Sequence, residues 1–410
     1  MKNTDLYPRL FIKTGLVLAL VWFGLVPSGV KALESPSYYA EIKAGAEQGD
    51  PQSEFKLGIL YENGEFYKKD LAKALNWYRK AADKGLVDSQ LNLGYLYYSG
   101  LGTKKNNLQA ANWYRKAAEQ GQGMAQYNLG LMYSLGEGVP KDDKLAVDWM
   151  TKSSDQGTAV AALRLAEWLL EGKIIAQDEA RGFELYRRAA ELGNPTAESG
   201  LAAYYLSLDK SDPNRAQALD WVTRAADHGK REAQFDLGVL YLTGDLVDKD
   251  PVRAAEWVNR SAEQNYPKAQ NIMAYFYNDG IGVAKDDTKA FDWYMKAAKN
   301  NYPMSQHNLA LKYHDGEGVA QNFVEANKWY RRAIEGGYIG SKLNLVEFYL
   351  NGQGVPKNLY IAYILYRLAE PEGSEWMAKS DEIAVNLTPD QIAKANRIIK
   401  DWKPGMKLPI

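Results

Sequence analysis

Three histidines, His228, His307 and His314, are the only imidazoles in this chain of 410 residues. Imidazole is the side chain best placed for proton transfer or metal binding near neutral pH. His307 and His314 stand seven apart on one expected helix, which separates them by two turns, roughly 10.5 Å along its axis. One metal ion cannot bridge that distance, and the usual helical pair is spaced i, i+4. His228 falls near the end of another expected helix, where a cationic tip suits the helix dipole. The chain has no cysteine, which excludes a thiol nucleophile, a disulfide scaffold and a thiolate zinc site. The 51 acidic residues contain no pair that stands apart from a solvated helical surface. Neither a Gly-x-Ser-x-Gly elbow, a Walker loop nor a His-Glu-x-x-His motif is present. The chemistry-bearing residues therefore point to binding, with no catalytic residue, cofactor or metal expected.

Binding residues are plentiful. Aromatics make up 12% of the chain, with 28 Tyr and 11 Trp, a content that excludes intrinsic disorder over most of the length. The net charge of −1 supplies no basic field for nucleic acid or an acidic membrane surface. The N-terminus reads as an export signal. Lys2, Arg9 and Lys13 precede an apolar run from Gly15 to Val26, and Val30-Lys31-Ala32 fits the small-residue cleavage rule, with the cut after Ala32. That run is short of the roughly 20 residues a membrane span needs; an uncleaved signal anchor is the alternative. Loss of residues 1–32 removes four basic residues and one acidic one, so the net charge moves from −1 to −4. No membrane span is expected in the mature chain.

The elements that carry these side chains repeat every 36 residues. Trp77 leads to Trp113, Trp149, Leu185, Trp221, Trp257, Trp293, Trp329 and Leu365. Leu57 leads to Leu93, Leu129, Leu165, Leu201, Leu237, Met273, Leu309 and Leu345, and the next column, from Gly58, is Gly or Ala until Val346. Each unit reads as two helices, because Ser53, Leu57 and Tyr61 form one apolar stripe and Ala74, Trp77, Tyr78, Ala81 and Ala82 another. The Trp column is expected in the core, with Gly58 and its equivalents making room for it. Asp or Asn precedes every second helix, from Asp70 to Asn358, Asn214 included; such residues cap orphan N–H groups. Gly or Asn follows it, from Gly49 and Gly85 to Gly373, as the left-handed C′ position requires. The unit at 194–229 lacks the usual Gly-x-Gly between its helices, so its loop is expected to differ while its helices do not. Units of two helices cannot bury both faces alone and must stack.

Ala125, Leu129, Gly130, Tyr133, Gly136, Gly138, Val139, Asp142, Ala146, Trp149 and Gly157 resemble the Sel1-like repeat, a relative of the tetratricopeptide class. The resemblance covers about residues 38–373. It implies an all-α, right-handed superhelical solenoid of about nine helix-turn-helix repeats. The expected organisation is a signal peptide at 1–32, an N-terminal capping helix in 33–50, repeats over 51–373 and C-terminal capping helices over 374–410, the last starting at Thr388-Pro389-Asp390. It also implies a scaffold or adaptor role and a protein or peptide partner.

By analogy with tetratricopeptide units, the first helices line a concave face through the columns of residues 55, 59, 62 and 63. These columns vary in residue type while the packing columns do not. Tyr95, Tyr98 and Tyr127 toward one end, and Tyr275, His307 and His314 toward the other, are the expected partner-binding groove. Lys80, on a second helix, is expected to be an inert exposed charge. The leading reading is an exported, non-catalytic adaptor. The alternatives are an envelope enzyme or cell-wall glycan binder, and a structural subunit of an envelope export machine. A fusion of the N-terminal segment through Ala32 to a reporter is expected to give a processed, soluble product outside the cytoplasm of a Gram-negative host. Full-length reporter retained in the membrane would support the signal anchor instead.

Overall fold

The computed structural model describes residues 36–369, 375–403 and 406–408; the expected signal segment lies outside them. Among the described residues there are twenty-one α-helices and no strand, and none of these helices is long and apolar enough to cross a membrane. The chain divides into two compact units, one ending at Tyr204 and the other beginning at Tyr205. From Pro36–Glu47 to Glu179–Glu191, and from Gln217–Asp227 to Glu375–Ala384, consecutive helices pack on one another, and the final helix Pro389–Asp401 packs on Leu359–Ala369. A typical repeat is the pair Val87–Ser99 and Asn107–Glu119.

Local chemistry sets the helix ends. The Asp70 side chain accepts the Lys73 N–H at 3.0 Å, and Asn106, Asp142, Asp178, Asp286 and Asn322 repeat that bond. After the second helices Gly85 takes φ +91°, and Asn265 and Asn301 take φ +58°, the left-handed conformation these two residue types tolerate best. Asn214 is the exception. Pro213–Ala216 forms a 3-10 turn capped by Asp212, and the second helix of that repeat starts late, at Gln217–Asp227. Contrary to expectation, the loop change therefore shortens the helix as well, because the proline fixes a tighter turn ahead of it.

The deepest column is not Trp77 but its neighbour. Tyr78, Tyr114, Met150, Tyr186, Val222, Val258, Tyr294, Tyr330 and Tyr366 are all buried, whereas Trp77, Trp149, Trp257 and Trp293 are only half-buried. The small column serves this deeper one. A Cβ placed on Gly58 would lie 2.6 Å from the Tyr78 ring, and one on Gly94 would lie 2.7 Å from Tyr114. Trp113, Trp221 and Trp329 are buried in the core as expected and the other four lie at its edge, each ring under a cation one turn on. Lys80 stands 3.8 Å from Trp77, Lys116 3.9 Å from Trp113 and Lys296 3.8 Å from Trp293. Lys152, Arg224, Arg260 and Arg332 cover the other four. Lys80, exposed as expected, shields an aromatic face and gains a cation–π contact.

Polar bonds join consecutive repeats. The Gln90 side chain is buried and donates to the Ala82 carbonyl of the preceding repeat at 3.2 Å, while its oxygen accepts from Gln120 at 2.8 Å. Gln126, Gln234, Gln270 and Gln306 make the same bond to Ala118, Ala226, Ala262 and Ala298. The second Gly of each Gly-x-Gly loop is a stacking contact. Gly138 sits so close to the previous repeat that a Cβ would meet the Asn107 carbonyl oxygen at 2.2 Å. In the first repeat Phe66 occupies this column at φ +59°, and its ring stacks on Tyr39 of the capping helix Pro36–Glu47 at 4.2 Å. At the other end helix Pro389–Asp401 begins with a Thr388–Gln391 capping box. Trp402 and Leu408 join the core there, and the Lys342 ammonium lies 4.4 Å from the Trp402 ring.

Tyr114→Ala is expected to cost about 3–5 kcal/mol, as for other large-to-small core changes, and Lys80→Ala about 0.5–1 kcal/mol through its lost cation–π contact. Urea unfolding of the full chain measures both. A Tyr114→Ala loss under about 1 kcal/mol would remove this column from the core.

Candidate functional site

The six groove residues differ in exposure, and three lie in each unit. Tyr98 is buried and donates its hydroxyl to Glu137 at 2.7 Å; burial first, and then that carboxylate, raise its pKa. Tyr127 is also buried, and burial is the main cause of its raised pKa. Tyr95 is half-buried against the first core cluster. These three were expected to face the groove; Tyr98 and Tyr127 instead pack within the repeats, because a large ring on a first helix reaches the next repeat. The column of residue 62 is accordingly closed at Glu62, Tyr98 and Ser134. Tyr275 is exposed, at 42%, and its pKa is raised by a hydrogen bond to Asp279.

The two histidines share helix Pro303–Asp315 but not a site. His307 Nδ1 is 2.8 Å from the Ser341 hydroxyl, and its ring contacts Tyr330 and Tyr338. Burial lowers its pKa, which favours the neutral ring. His314 Nδ1 is 2.8 Å from Asp315, and its ring lies against Phe323 and Phe348. His228 is the C-cap of Gln217–Asp227. Among the described residues no cluster of three His, Asp or Glu side chains could hold a metal ion.

Two polar groups escaped the sequence reading. Lys312 is buried and bonds to Asn278 and to Glu317 at 2.7 Å, with Asp287 at 3.5 Å. Its column is otherwise apolar, with Leu96, Met132, Leu240, Phe276 and Phe348, so a lysine there was the available signal. Asp236 carried no such signal, since its column is mostly polar in other repeats.

Asp236 lies in a cleft of about 400 Å³ within the second unit. The cleft falls on the expected groove columns, through Leu206, Val239 and Thr243, but at none of the six expected residues. Leu206, Val239 and Leu240 form its apolar walls and Lys210 stands at its edge. The repeat without Gly-x-Gly builds it. Arg215, 7% exposed, makes a two-pronged bond to Asp245, Nη1–Oδ1 at 2.9 Å and Nη2–Oδ2 at 2.8 Å. Those bonds hold the Asp245 carboxyl below its usual pKa. Asp236 makes no hydrogen bond among the described residues. Burial pushes its pKa up to about 6; Lys268 opposes the shift and Glu232 adds to it.

A carboxyl whose pKa rises on folding stabilises the folded state most below its unfolded pKa, and the benefit fades as pH rises through about 6. Asp236→Asn is therefore expected to be more stable than the native chain at pH 7 by at most about 3 kcal/mol, with the difference shrinking toward pH 4. Urea midpoints at the two pH values test this, and an Asn variant less stable at pH 7 would refute it.

The Sel1 repeat pattern matches this chain nine times, at residues 51–86, 87–122, 123–158, 159–194, 195–230, 231–266, 267–302, 303–338 and 343–370. No curated protein matches it. Among solved structures it is similar to a protective antigen present in uropathogenic Escherichia coli strains that displays an SLR fold. That likeness has 29% identity over 87% of this chain and 84% of the antigen, with a TM-score of 0.51. A Sel1 repeat protein from Oxalobacter formigenes is 26% identical over 88% of this chain and 90% of its own, with a TM-score of 0.35. An immunity protein from Pseudomonas aeruginosa is 18% identical over 52% of this chain and 81% of its own, with a TM-score of 0.37. Nine tandem matches, on a helix-pair fold with the columns described above, make this chain a member of the Sel1 repeat family.

Proposed function

We propose that the chain is an exported, non-catalytic scaffold that binds a protein or peptide segment on its first-helix face. Sel1 repeats generally mediate protein interactions, and the coarse reading as an interaction solenoid follows from membership. The observation that carries the finer reading is the cleft at Val239, on the columns that vary between repeats while the packing columns stay constant. Exposed Tyr275 stands one repeat further along, in the same column as Val239. Tyrosine is enriched among the anchors that carry interface energy. The basic start and the Gly15–Val26 apolar run support export. The lack of a nucleophile or metal constellation in the sequence supports a role without catalysis.

The test is a pull-down from envelope extract with the full chain, followed by titration of each recovered partner. Tyr275→Ala and Val239→Lys are each expected to weaken binding by about 2 kcal/mol or more, with the unfolding midpoint little changed for Tyr275→Ala. Lys144→Ala, at an exposed position of a second helix, is expected to have no effect. Full affinity in both groove variants would move the binding surface elsewhere. Retention of cell-wall fragments in place of protein would favour the glycan reading.

A further inference from the structure

We propose that the cleft beside helix Arg231–Thr243 takes a lysine or arginine side chain of the bound segment, with the Asp236 carboxylate as its counter-charge. This rests on the first-helix reading above and narrows it to a partner of stated chemistry. The charges of the cleft decide its sign. Arg215 has both terminal nitrogens on Asp245, so the two charges answer each other; the remaining Arg215 donor, Nε, is buried away from the cleft space and has no partner among the described residues. Lys210 is 82% exposed and 3.9 Å from Asp245; it stands in water at the edge, where an ion pair contributes little. Asp236 remains as the one lining charge with neither a hydrogen bond nor an ion pair among the described residues.

The groups around Asp236 do not neutralise it. From its own helix Glu232 repels it, and from helix Pro267–Asp279 Lys268 attracts it. Tyr266 is uncharged near neutral pH, its pKa raised first by burial and then by Asp236. Burial outweighs Lys268, and the carboxyl holds its proton up to about pH 6. A carboxylate that is desolvated and unpaired gains most from an arriving cation, because the desolvation is already present in the free protein. The walls suit the stem that carries such a cation. Leu206, Val239 and Leu240 offer apolar surface to three or four methylenes, which long basic side chains bury while keeping the head polar. A space of about 400 Å³ is at the small end for ligand sites, so it fits one anchoring side chain of a segment lying across the face.

An affinity that needs ionised Asp236 must depend on pH. With a pKa of about 6, about a tenth of the carboxyl is ionised at pH 5, so binding there should be about tenfold weaker than at pH 7.5. A lysine or arginine in the partner stays charged across that range.

The experiment pans a phage-displayed library of random 12-residue peptides on the full chain at pH 7.5. The most enriched peptide is then synthesised with a fluorescein label and titrated at pH 7.5 and 5.0. One position is expected to be Lys or Arg, and its change to Met should lower affinity at least tenfold. Asp236→Asn should lower affinity at least tenfold and abolish the pH dependence, and in that variant the Lys-to-Met change should have little further effect. Its stability, measured separately, excludes unfolding as the cause. Equal affinity of Asp236→Asn and native protein, or selection of acidic peptides, overturns the proposal. If Val239→Trp blocks binding while Asp236→Asn does not, the cation pocket fails and the first-helix reading stands. If no peptide is enriched, or none is sensitive to Val239→Trp, both fail.

Discussion

Gly58 meeting Tyr78, and Gly94 meeting Tyr114, sets the distance between paired helices, and every other contact in a repeat is scaled to it. The rings lie where a Cβ would be under 3 Å away, so in these two repeats the helices come this close only because the glycine contributes no side chain; other repeats hold Ala, or Val346, in the same column. The large residue is then fully enclosed. Where the deep column holds a smaller residue, as at Val258 opposite Gly238, a Cβ would still meet the Val258 methyl at 2.6 Å. The pair closes up further as the partner shrinks, as close-packed interiors do. The tryptophans, one position along, complete the seam from outside, and their basic neighbours cover the exposed ring faces.

Stacking of one pair on the next uses different chemistry. Buried glutamines reach the last carbonyls of the preceding second helix, which a helix end leaves without intrahelical partners. The oxygens of Gln90, Gln126, Gln234 and Gln270 are in turn tied by a residue at the end of their own repeat, as Gln90 is by Gln120; at Gln306 the matching position is Gly336 and the oxygen has no partner among the described residues. A buried polar column of this kind is stable only when its bonds are made, so it holds register more strictly than apolar contact alone. The second glycine of the loop acts in the same direction, by letting backbone touch backbone at Asn107, Pro251 and Asp287. In the first repeat Phe66 takes this column and stacks on Tyr39 of the capping helix.

The repeat at 195–230 trades this regularity for a pocket. Its 3-10 turn places Arg215 where other repeats begin a helix, and the Arg215–Asp245 pair fixes the loop beside the next first helix. Asp236 is left half-buried in the cleft, with neither a hydrogen bond nor an ion pair among the described residues. Its raised pKa is a stability penalty at neutral pH that a partner's cation would relieve, which links the irregular repeat to recognition.

Much of the fold was legible in the sequence, because a stacked repeat writes its packing as columns. The spacing of 36, the Asp and Asn caps, the Gly and Asn stops and the small column all reflect backbone requirements that few residue types meet. Side-chain depth within a stripe was less legible. Trp77 and Tyr78 are adjacent, and a helix turns by 100° between them, so only the facing helix decides which one is enclosed. For the same reason Tyr98 and Tyr127, read as groove residues, turn out to be buried: a first-helix ring can reach water or the next repeat, and the choice rests on a neighbour 36 residues away. Lys312 could have been found as a charge in an apolar column. Asp236 could not, since its column is mostly polar, and the cleft it shares with Leu206, Leu240 and the loop of an irregular repeat is assembled only in the folded chain.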